Sequence, residues 1–446
     1  MDSIGRSYRT SGRVPADHAG RRSVVHRDIR AQLTLWAVGL IVFLLLQQVF
    51  GAVATLTVIL LTGGLMLLYR DVLVPILLRG APFLAFGLWA MTSYFWSSAP
   101  DVSLRYGFQL LLTITTALMI AATLPARKLP QVLFFAAAVI LAMSVLSGRQ
   151  GMSDTGPVLI GLTGSKNQFG YLCLTLIMSS YAVILGIGGP PRFARWGAVA
   201  ILPVAILFLL IGKAAAAQIQ FLGGTALLAV LVWATHVSRA TRAAVLGIAA
   251  IVGLGTVAAA PQIEQFTTYV RQDVLKKDAT LTGRTELWAR ADSLIEQRPL
   301  LGWGYRSTWL GDNSTTRGLL RWANLTDGKG FNFHNLAREM WVDLGIVGLV
   351  LLMAIYAVGL VRLGLAMYLR PTREIAFLLT LATLVIVIRA NTEMNIGPFL
   401  FDTLMIFTIL AYAAGEAHTA REARPRPDPS RARGRQSRRP QFRTAE

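Results

Sequence analysis

The sequence is poor in cysteine and in charge, and it lacks the short motifs of most soluble enzymes. Its single cysteine, Cys173, lies in an apolar stretch, so disulfide bonds contribute nothing to the predicted fold. Only 15% of the 446 residues are charged, whereas 54% are hydrophobic. Cys/His metal spacing, a Walker loop, a dinucleotide fingerprint and a nucleophile elbow are all absent from the sequence. This composition excludes a soluble multidomain protein and predicts a polytopic membrane protein.

Long apolar runs recur through the chain, each near the roughly 17 to 25 residues that a bilayer core requires. They predict an all-α fold with about 12 transmembrane helices, and the weakest division, at 47–51, separates the first two. The runs are 33–49, 52–69, 81–96, 105–123, 131–147, 168–187, 197–212, 217–235, 243–260, 343–363, 374–390 and 397–414. The predicted organisation is a basic tail (1–30), nine helices (31–260), one large polar loop (261–342), three helices (343–415) and a second basic tail (416–446).

Basic residues collect in alternate loops, as expected for loops on the cytoplasmic side. These loops contain pairs such as Arg127 and Lys128, and Arg370 and Arg373. Seven arginines in the first 30 residues and nine after Glu416 place both tails on the same side, in segments whose composition predicts disorder. The net charge of +20 is thus explained by topology and by attraction to anionic lipid, in preference to nucleic-acid binding. The 261–342 loop then lies on the outer face.

The first helical segment predicted in this loop has the spacing of an amphipathic helix. Thr282 or Gly283 can cap it, and Glu286 in its first turn suits the positive end of the helix dipole. Apolar residues recur at helical spacing as far as Ile295, and Pro299 ends the pattern. Arg284 also lies in the first turn, where a cation is electrostatically disfavoured; it is either a solvated residue or one with a functional purpose.

The end of the loop offers a histidine beside the membrane. A second helix is predicted to start near Asn332, to carry His334, Arg338 and Trp341 on one face, and to run without interruption into the apolar run that begins at 343. His334 is therefore expected just above the bilayer. From the residues alone, it is either a functional group or an interfacial histidine that caps a helix.

Seven cations are predicted to share the outer face, where membrane insertion disfavours them. A ligand with clustered negative charge would offset that penalty, because ammonium and guanidinium groups make charge-assisted hydrogen bonds to phosphate. A lipid-linked pyrophosphate is such a ligand. Asn167, an amide donor at the start of the sixth run, joins the set. The cations are Arg105, Arg149, Lys166, Lys213, Arg284, Arg306 and Arg389.

Structural explanations remain open for several of these positions. Arg105 and Lys213 can snorkel to the interface, and Ser165 can cap an ordinary helix start beside Lys166. Arg389 can form a structural pair with Glu393 or Asp402, because charges at membrane depth usually pair. The aromatic residues around Trp96 are typical of an interfacial belt.

Five stretches, in this order and spacing, resemble the bacterial inner-membrane family of O-antigen ligases, O-antigen polymerases and exopolysaccharide polymerases. The resemblance covers residues from about 80 to 400. One departure follows the seventh run, where relatives carry hydroxyl residues around a cation and this chain has Gly212, Lys213 and Ala214. The stretches are Trp96-Ser97-Ser98-Ala99-Pro100 with Ser103-Leu104-Arg105, Ser165-Lys166-Asn167-Gln168-Phe169-Gly170, Thr282-Gly283-Arg284 with Leu287-Trp288, Arg298-Pro299-Leu300-Leu301-Gly302-Trp303-Gly304, and His334-Asn335 before Asp343-Leu344-Gly345.

The resemblance implies a GT-C-like glycosyltransferase that needs neither metal nor cofactor. It implies that a glycan moves from undecaprenyl pyrophosphate to a sugar hydroxyl of lipid A core or of a lipid-linked repeat, at the periplasmic face of the inner membrane. His334 corresponds by position to a general base, and Arg284 to a ligand of the donor pyrophosphate. Chain-length or export proteins are the implied partners.

Two other classes of function are compatible with the same sequence. A flippase for lipid-linked sugars would also have about twelve spans and a cationic cavity, although paired repeats are not evident. A structural partner in an export assembly would need neither His334 nor the cations. Ligase and polymerase share their donor, so the sequence does not separate them.

Overall fold

The protein is mostly helical, and its helices follow the apolar runs of the sequence. The computed structural model describes residues 32–153, 156–269, 283–326, 328 and 331–422. The predicted tail 1–30, most of the tail 416–446 and the proposed cap Thr282 lie outside these residues. Of Arg284 only the backbone is described.

In the described part of the chain, ten helices and one hairpin come first, and the tenth helix ends within the polar loop. Three further helices lie inside the loop, and the last three begin at its end or after it. The first group is α1 (Gln32–Leu45), α2 (Gln47–Leu68), α3 (Arg70–Arg79), α4 (Ala81–Thr92), α5 (Pro100–Thr123), α6 (Leu129–Ser147), β1 (Gln150–Ser153), β2 (Gly156–Leu159), α7 (Lys166–Ile184), α8 (Arg192–Ile211), α9 (Ala215–Ala234) and α10 (Arg239–Tyr269). The second is α11 (Gly283–Gln297), α12 (Ser307–Leu310), α13 (Ser314–Trp322), α14 (Leu336–Leu369), α15 (Arg373–Thr383) and α16 (Phe401–Glu422).

Within the described ranges, eight helices are long and apolar enough to cross a membrane. A ninth span results if α3 and α4, bent by 78°, are counted together, and Gln32–Leu45 and Phe401–Gly415 are shorter apolar helices. Each of the twelve apolar runs coincides with a helix or a bent helix pair. A polytopic helical membrane protein is therefore confirmed, whereas the number of twelve spans stays a prediction.

A short antiparallel hairpin departs from the all-α prediction. β1 pairs with β2 between α6 and α7, with Gln150 opposite Leu159. Gly148, at a φ of 59°, ends α6 in the left-handed conformation and lets the chain turn into β1. The hairpin lies immediately before the start of α7, which contributes to the site described below.

Two apolar cores hold the fold together. The larger lies among the membrane helices, where α5 packs on α4 and α16, and α7 packs on α6, α8 and α9. The smaller lies inside the polar loop and includes Leu287, Ala291 and Leu294 of α11 with Trp309 and Phe333. The amphipathic helix expected before Pro299 is thereby confirmed, because its apolar face is the buried one. The described part of the loop is a folded cap over one end of the bundle.

The helix α14 is not continuous, contrary to the prediction. Gly345 has φ 69° and ψ −177° within it, so the helical hydrogen-bond ladder breaks there. The freed carbonyl groups of Val342 and Asp343 accept hydrogen bonds from the N–H groups of Trp303 (2.8 Å) and Gly304 (2.9 Å). The break thus serves as a docking point for the loop, and glycine is required because an added Cβ would meet the backbone of Leu300.

Candidate active site

His334 lies immediately before α14, in a turn that is held by side chains on both sides. Its backbone N–H donates to Asn332 Oδ1 at 2.7 Å, and Asn335 caps the helix by accepting from the N–H of Arg338 at 3.0 Å. The φ of His334 is 51°, a conformation that few residues other than glycine adopt. The helix begins at Leu336 rather than near Asn332, so His334 is outside it and does not share a face with Arg338. Such strained positions cluster at functional sites.

The imidazole of His334 is paired with a carboxylate from the segment between α15 and α16, 59 residues later in the chain. His334 Nδ1 lies 2.9 Å from Glu393 Oε2, and Asn167 Nδ2 donates to Glu393 Oε1 at 2.7 Å. An ionised carboxylate only accepts hydrogen bonds, so the proton of the first bond belongs to Nδ1. Nε2 then carries the lone pair and can accept a proton from a third group. The imidazole side chain is 27% exposed, against 11% for Glu393, so the base is the accessible member.

A buried ionic cluster contacts the backbone of the turn that carries His334. Glu339 accepts from the N–H of Phe333 at 2.7 Å and lies 3.3 Å from Arg306 Nη1. Asp343 accepts from the backbone N–H of Arg306 at 2.9 Å. All three ionic side chains are buried. The guanidinium of Arg306 is therefore turned into the protein, and its predicted contact with substrate stays a prediction.

Arg389 forms a second buried pair, with Asp402. Arg389 Nε lies 2.8 Å from Asp402 Oδ2, and both side chains are almost fully buried. The guanidinium also donates to Gln168 Oε1 at 3.2 Å and lies over the ring of Tyr171. Of the two partners considered from the sequence, Asp402 is the one in contact. The start of α7 thus contacts both centres, through Asn167 at Glu393 and through Gln168 at Arg389.

Four further predicted cations lie on or beside other helices and the hairpin. Lys166 begins α7, directly before Asn167, and Ser165 caps that helix by accepting from the N–H of Gln168. Lys213 lies in the left-handed conformation between α8 and α9. It follows Gly212, which lies close to Phe169 of α7. Arg105 and Arg149 are exposed, on α5 and before β1. Within the described part of the chain, neither of these last two contacts His334.

Arg284 is linked to the site through its helix. Position 284 lies one turn before Trp288 on the same face of α11. Trp288 Nε1 donates to the carbonyl of Phe333 at 2.7 Å, and Arg338 lies over the Trp288 ring while it pairs with Asp292 at 2.8 Å. The α11 helix is therefore fixed against the turn that carries His334, and a substrate contact of Arg284 stays a prediction.

The stretch around Trp96 docks the cap onto α5, which an aromatic belt does not explain. Trp96 Nε1 donates to the carbonyl of Leu301 at 2.7 Å, and the N–H of Ser98 donates to the carbonyl of Trp303 at 2.8 Å. Ser103 Oγ reaches the carbonyl of Tyr305 at 3.0 Å. Two of the five stretches that carry the resemblance are therefore in direct contact. Burial of Tyr305 in this contact raises the pKa of its hydroxyl.

Sequence reasoning missed the roles of Glu339, Asp343 and Glu393. The sequence suggests Glu393 as a possible structural partner of Arg389 and assigns no role to Glu339. The available signal was the rarity of carboxylates at or near membrane depth, which implies a partner for each. The identity of that partner is a tertiary contact that spacing does not reveal.

Comparisons with known proteins agree with the resemblance. Residues 198–353 match the family profile described as O-antigen ligase. The chain is also 31% identical, over 271 residues, to the exopolysaccharide production protein ExoQ of Rhizobium meliloti (strain 1021). That alignment covers 60% of this chain and 61% of the relative, so less than two thirds of the relative is matched. The profile match contains Arg284 and His334 and leaves out Asn167 and Glu393.

Proposed function

We propose, from the premise that this chain belongs to the O-antigen ligase and polysaccharide polymerase family, that it is a glycosyltransferase acting on lipid-linked glycans. The observation that carries the proposal is the hydrogen bond between His334 Nδ1 and Glu393, which leaves Nε2 able to accept a proton. The donor is a glycan on undecaprenyl pyrophosphate, and the acceptor is a sugar hydroxyl.

The proposed reaction needs one general base and cationic side chains around the leaving pyrophosphate. His334 Nε2 takes the proton of the acceptor hydroxyl while the hydroxyl oxygen attacks the anomeric carbon of the donor. The bond from that carbon to the pyrophosphate oxygen breaks, and lipid pyrophosphate leaves as an anion. Arg284 and Lys166 are proposed to stabilise its charge, since a diphosphate leaving group needs positive charge rather than a proton. The transfer needs no metal ion in this proposal.

Glu393 and Asn167 are proposed to position the base. The carboxylate fixes the ring tautomer and stabilises the imidazolium that forms, and Asn167 holds the carboxylate. A positioned base typically contributes about 10²- to 10⁴-fold to a rate.

The proposed transfer is a polymerisation, in which the acceptor is a lipid-linked repeat. The support is the similarity to ExoQ, whose name describes it as an exopolysaccharide production protein. Ligation to lipid A core is the other reaction of the family. The proposed location is the bacterial inner membrane, with the cap on the periplasmic side and both termini in the cytoplasm.

The test is reconstitution of the purified protein with undecaprenyl-pyrophosphate oligosaccharide, a metal chelator and no nucleotide sugar. We expect a ladder of longer glycans on a gel. Addition of lipid A core as a second acceptor should not divert the product. A single ligated product on lipid A core would make the protein a ligase. Movement of the lipid-linked glycan across vesicles with no new glycosidic bond would replace the proposal with a flippase.

A further inference from the structure

A large cavity lies at the end of the bundle opposite His334. Its volume is about 1530 Å³. It is lined by residues around the start of α6, the end of α7 and the start of α15, whereas the site described above uses the other ends of α7 and α15. The 19 residues of α7 separate the two places by about 28 Å. The cavity therefore lies at the membrane surface opposite the one at which His334 is expected.

The charged lining of the cavity is mostly cationic. Arg127, Lys128 and Arg373 line it together with one carboxylate, that of Glu374. Lys128 Nζ donates to the carbonyl of Gly188 at 2.8 Å, and Arg373 Nη1 donates to the carbonyl of Leu185 at 3.2 Å. The segment that follows α7 thus holds both cationic groups at defined positions on the wall, rather than leaving them on mobile side chains.

The backbone adds to this positive potential. The residues directly preceding α6, α8 and α15, which are Lys128, Pro191 and Thr372, all line the cavity. Helix N-termini carry partial positive charge. Three such termini therefore add to the positive potential that the basic side chains create in this cavity. Arg373 is the first residue of α15, an electrostatically disfavoured position for a cation. Loop anchoring by the positive-inside tendency requires basic residues at this end, but it requires neither a cavity nor this convergence.

The cavity is also lined by apolar side chains. They include Leu35 and Val38 of α1, Phe135 of α6 and Phe193 of α8. Leu35 and Phe193 are 71% and 70% exposed in the absence of lipid. An occupant that satisfies the whole lining presents an anionic group to the cations and hydrocarbon to the apolar side chains, which is the chemistry of an anionic phospholipid.

We infer that this cavity binds one anionic phospholipid from the leaflet at that end, with its phosphate between Arg127 and Arg373 and an acyl chain along α1. Basic pockets between membrane helices bind such headgroups in this way. The bound lipid fills the space between α1, α6, α8 and α15. It is separate from the lipid-linked substrate, which is handled at the opposite end.

The test is a lipid titration of the delipidated full-length protein in detergent, followed by native mass spectrometry. The probes are dioleoylphosphatidylglycerol and dioleoylphosphatidylcholine. We expect one phosphatidylglycerol to bind with a preference of roughly ten-fold or more over phosphatidylcholine. The double variant Arg127→Gln with Arg373→Gln should lose that preference. The matched control Arg362→Gln with Arg370→Gln removes two exposed charges at the same end, outside the cavity, and should keep it.

Leu35→Asp provides a second variant that keeps every cation. Leu35 lies in the first turn of α1, near the end of the apolar helix, which limits the cost of placing a carboxylate there. The added carboxylate should expel the lipid. Equal binding of the two lipids by the unmodified protein would overturn the inference, as would equal loss of preference in the control variant. Displacement of phosphatidylglycerol by millimolar inorganic phosphate would also overturn it, because the site would then take a free anion.

Discussion

The pair formed by His334 and Glu393 assigns different tasks to two side chains that are 2.9 Å apart. The imidazole is the more exposed and is the group expected to touch the acceptor. Glu393 also accepts from Asn167, so in the proposed reaction it acts through the imidazole as a positioning residue. His334 and Asn167 both lie in stretches that carry the family resemblance, whereas Glu393 does not.

Glu393→Gln should lower kcat by about 10²-fold or more, because the amide neither fixes the Nδ1 proton nor stabilises the imidazolium. KM should change little, since Glu393 does not contact the acceptor in the proposed reaction. Steady-state kinetics of glycan extension provide the measurement. Glu296→Gln, an exposed change on α11, is the matched control and should leave both constants unchanged. An unchanged kcat in a folded Glu393→Gln protein would remove the positioning role.

Arg306→Ala should destabilise the protein by about 3 to 5 kcal/mol, because it leaves the buried carboxylate of Glu339 without its cation. Asp343 accepts from the backbone N–H of Arg306, a hydrogen bond that the change keeps. The measurement is chemical unfolding in detergent. Arg317→Ala removes an exposed cation 3.8 Å from Asp312 and should cost less than about 1 kcal/mol. A stable Arg306→Ala protein with a raised KM would instead restore Arg306 as a substrate ligand.

At the scale of elements, local patterns were predictable and contacts between distant segments were not. The spacing of Leu287, Ala291 and Leu294 predicts a helix with one buried face, and α11 has it. The break at Gly345 has no local signal, because its cause is the 299–304 segment, which takes over the freed backbone groups. A sequence pattern reports which residues avoid water, but it does not report which neighbour covers them.

The contact between the cap and α5 depends on the conformation of Gly304. Its φ is 103°, and an added Cβ would meet the hydroxyl of Ser97. Gly304→Ala should therefore destabilise the protein by about 1 to 3 kcal/mol. Gly318→Ala is the control, because nothing lies within 4 Å of the added atom in α13 and alanine favours a helix. Thermal unfolding of both variants provides the comparison, and equal melting temperatures would contradict the docking role.

At the scale of the whole molecule, composition was sufficient to predict a polytopic helical membrane protein. The site was predictable only in part. The likeness of the stretches around Asn167, Arg284 and His334 to a known family identified candidate residues, and two of them meet at Glu393. Arg306 and Arg389 share the predicted side but lie in buried pairs with Glu339 and Asp402. Charge and side of the membrane do not tell a substrate ligand from a structural cation.

The helix α14 is long and apolar enough to span the membrane, so its two ends are expected on opposite sides. The proposed orientation puts the cap outside, so an alkaline phosphatase fusion at Gly311 should be active, and fusions at Arg195, Arg373 and Glu416 should be inactive. This orientation is based on the tendency of basic residues to be enriched in cytoplasmic loops. Expression levels measured by immunoblot are the control. Activity at Glu416 with none at Gly311 would reverse the orientation.

The most direct measurement is the rate of glycan extension by purified His334→Ala protein, compared with His236→Ala, a change at an exposed histidine after α9. Both are assayed with undecaprenyl-pyrophosphate oligosaccharide, and matching elution profiles verify that both are folded. Loss of the proposed base should lower the rate of the His334→Ala protein by about 10²- to 10⁴-fold and leave the His236→Ala protein unchanged. Near-normal extension by folded His334→Ala protein would contradict the assignment of His334 as the base.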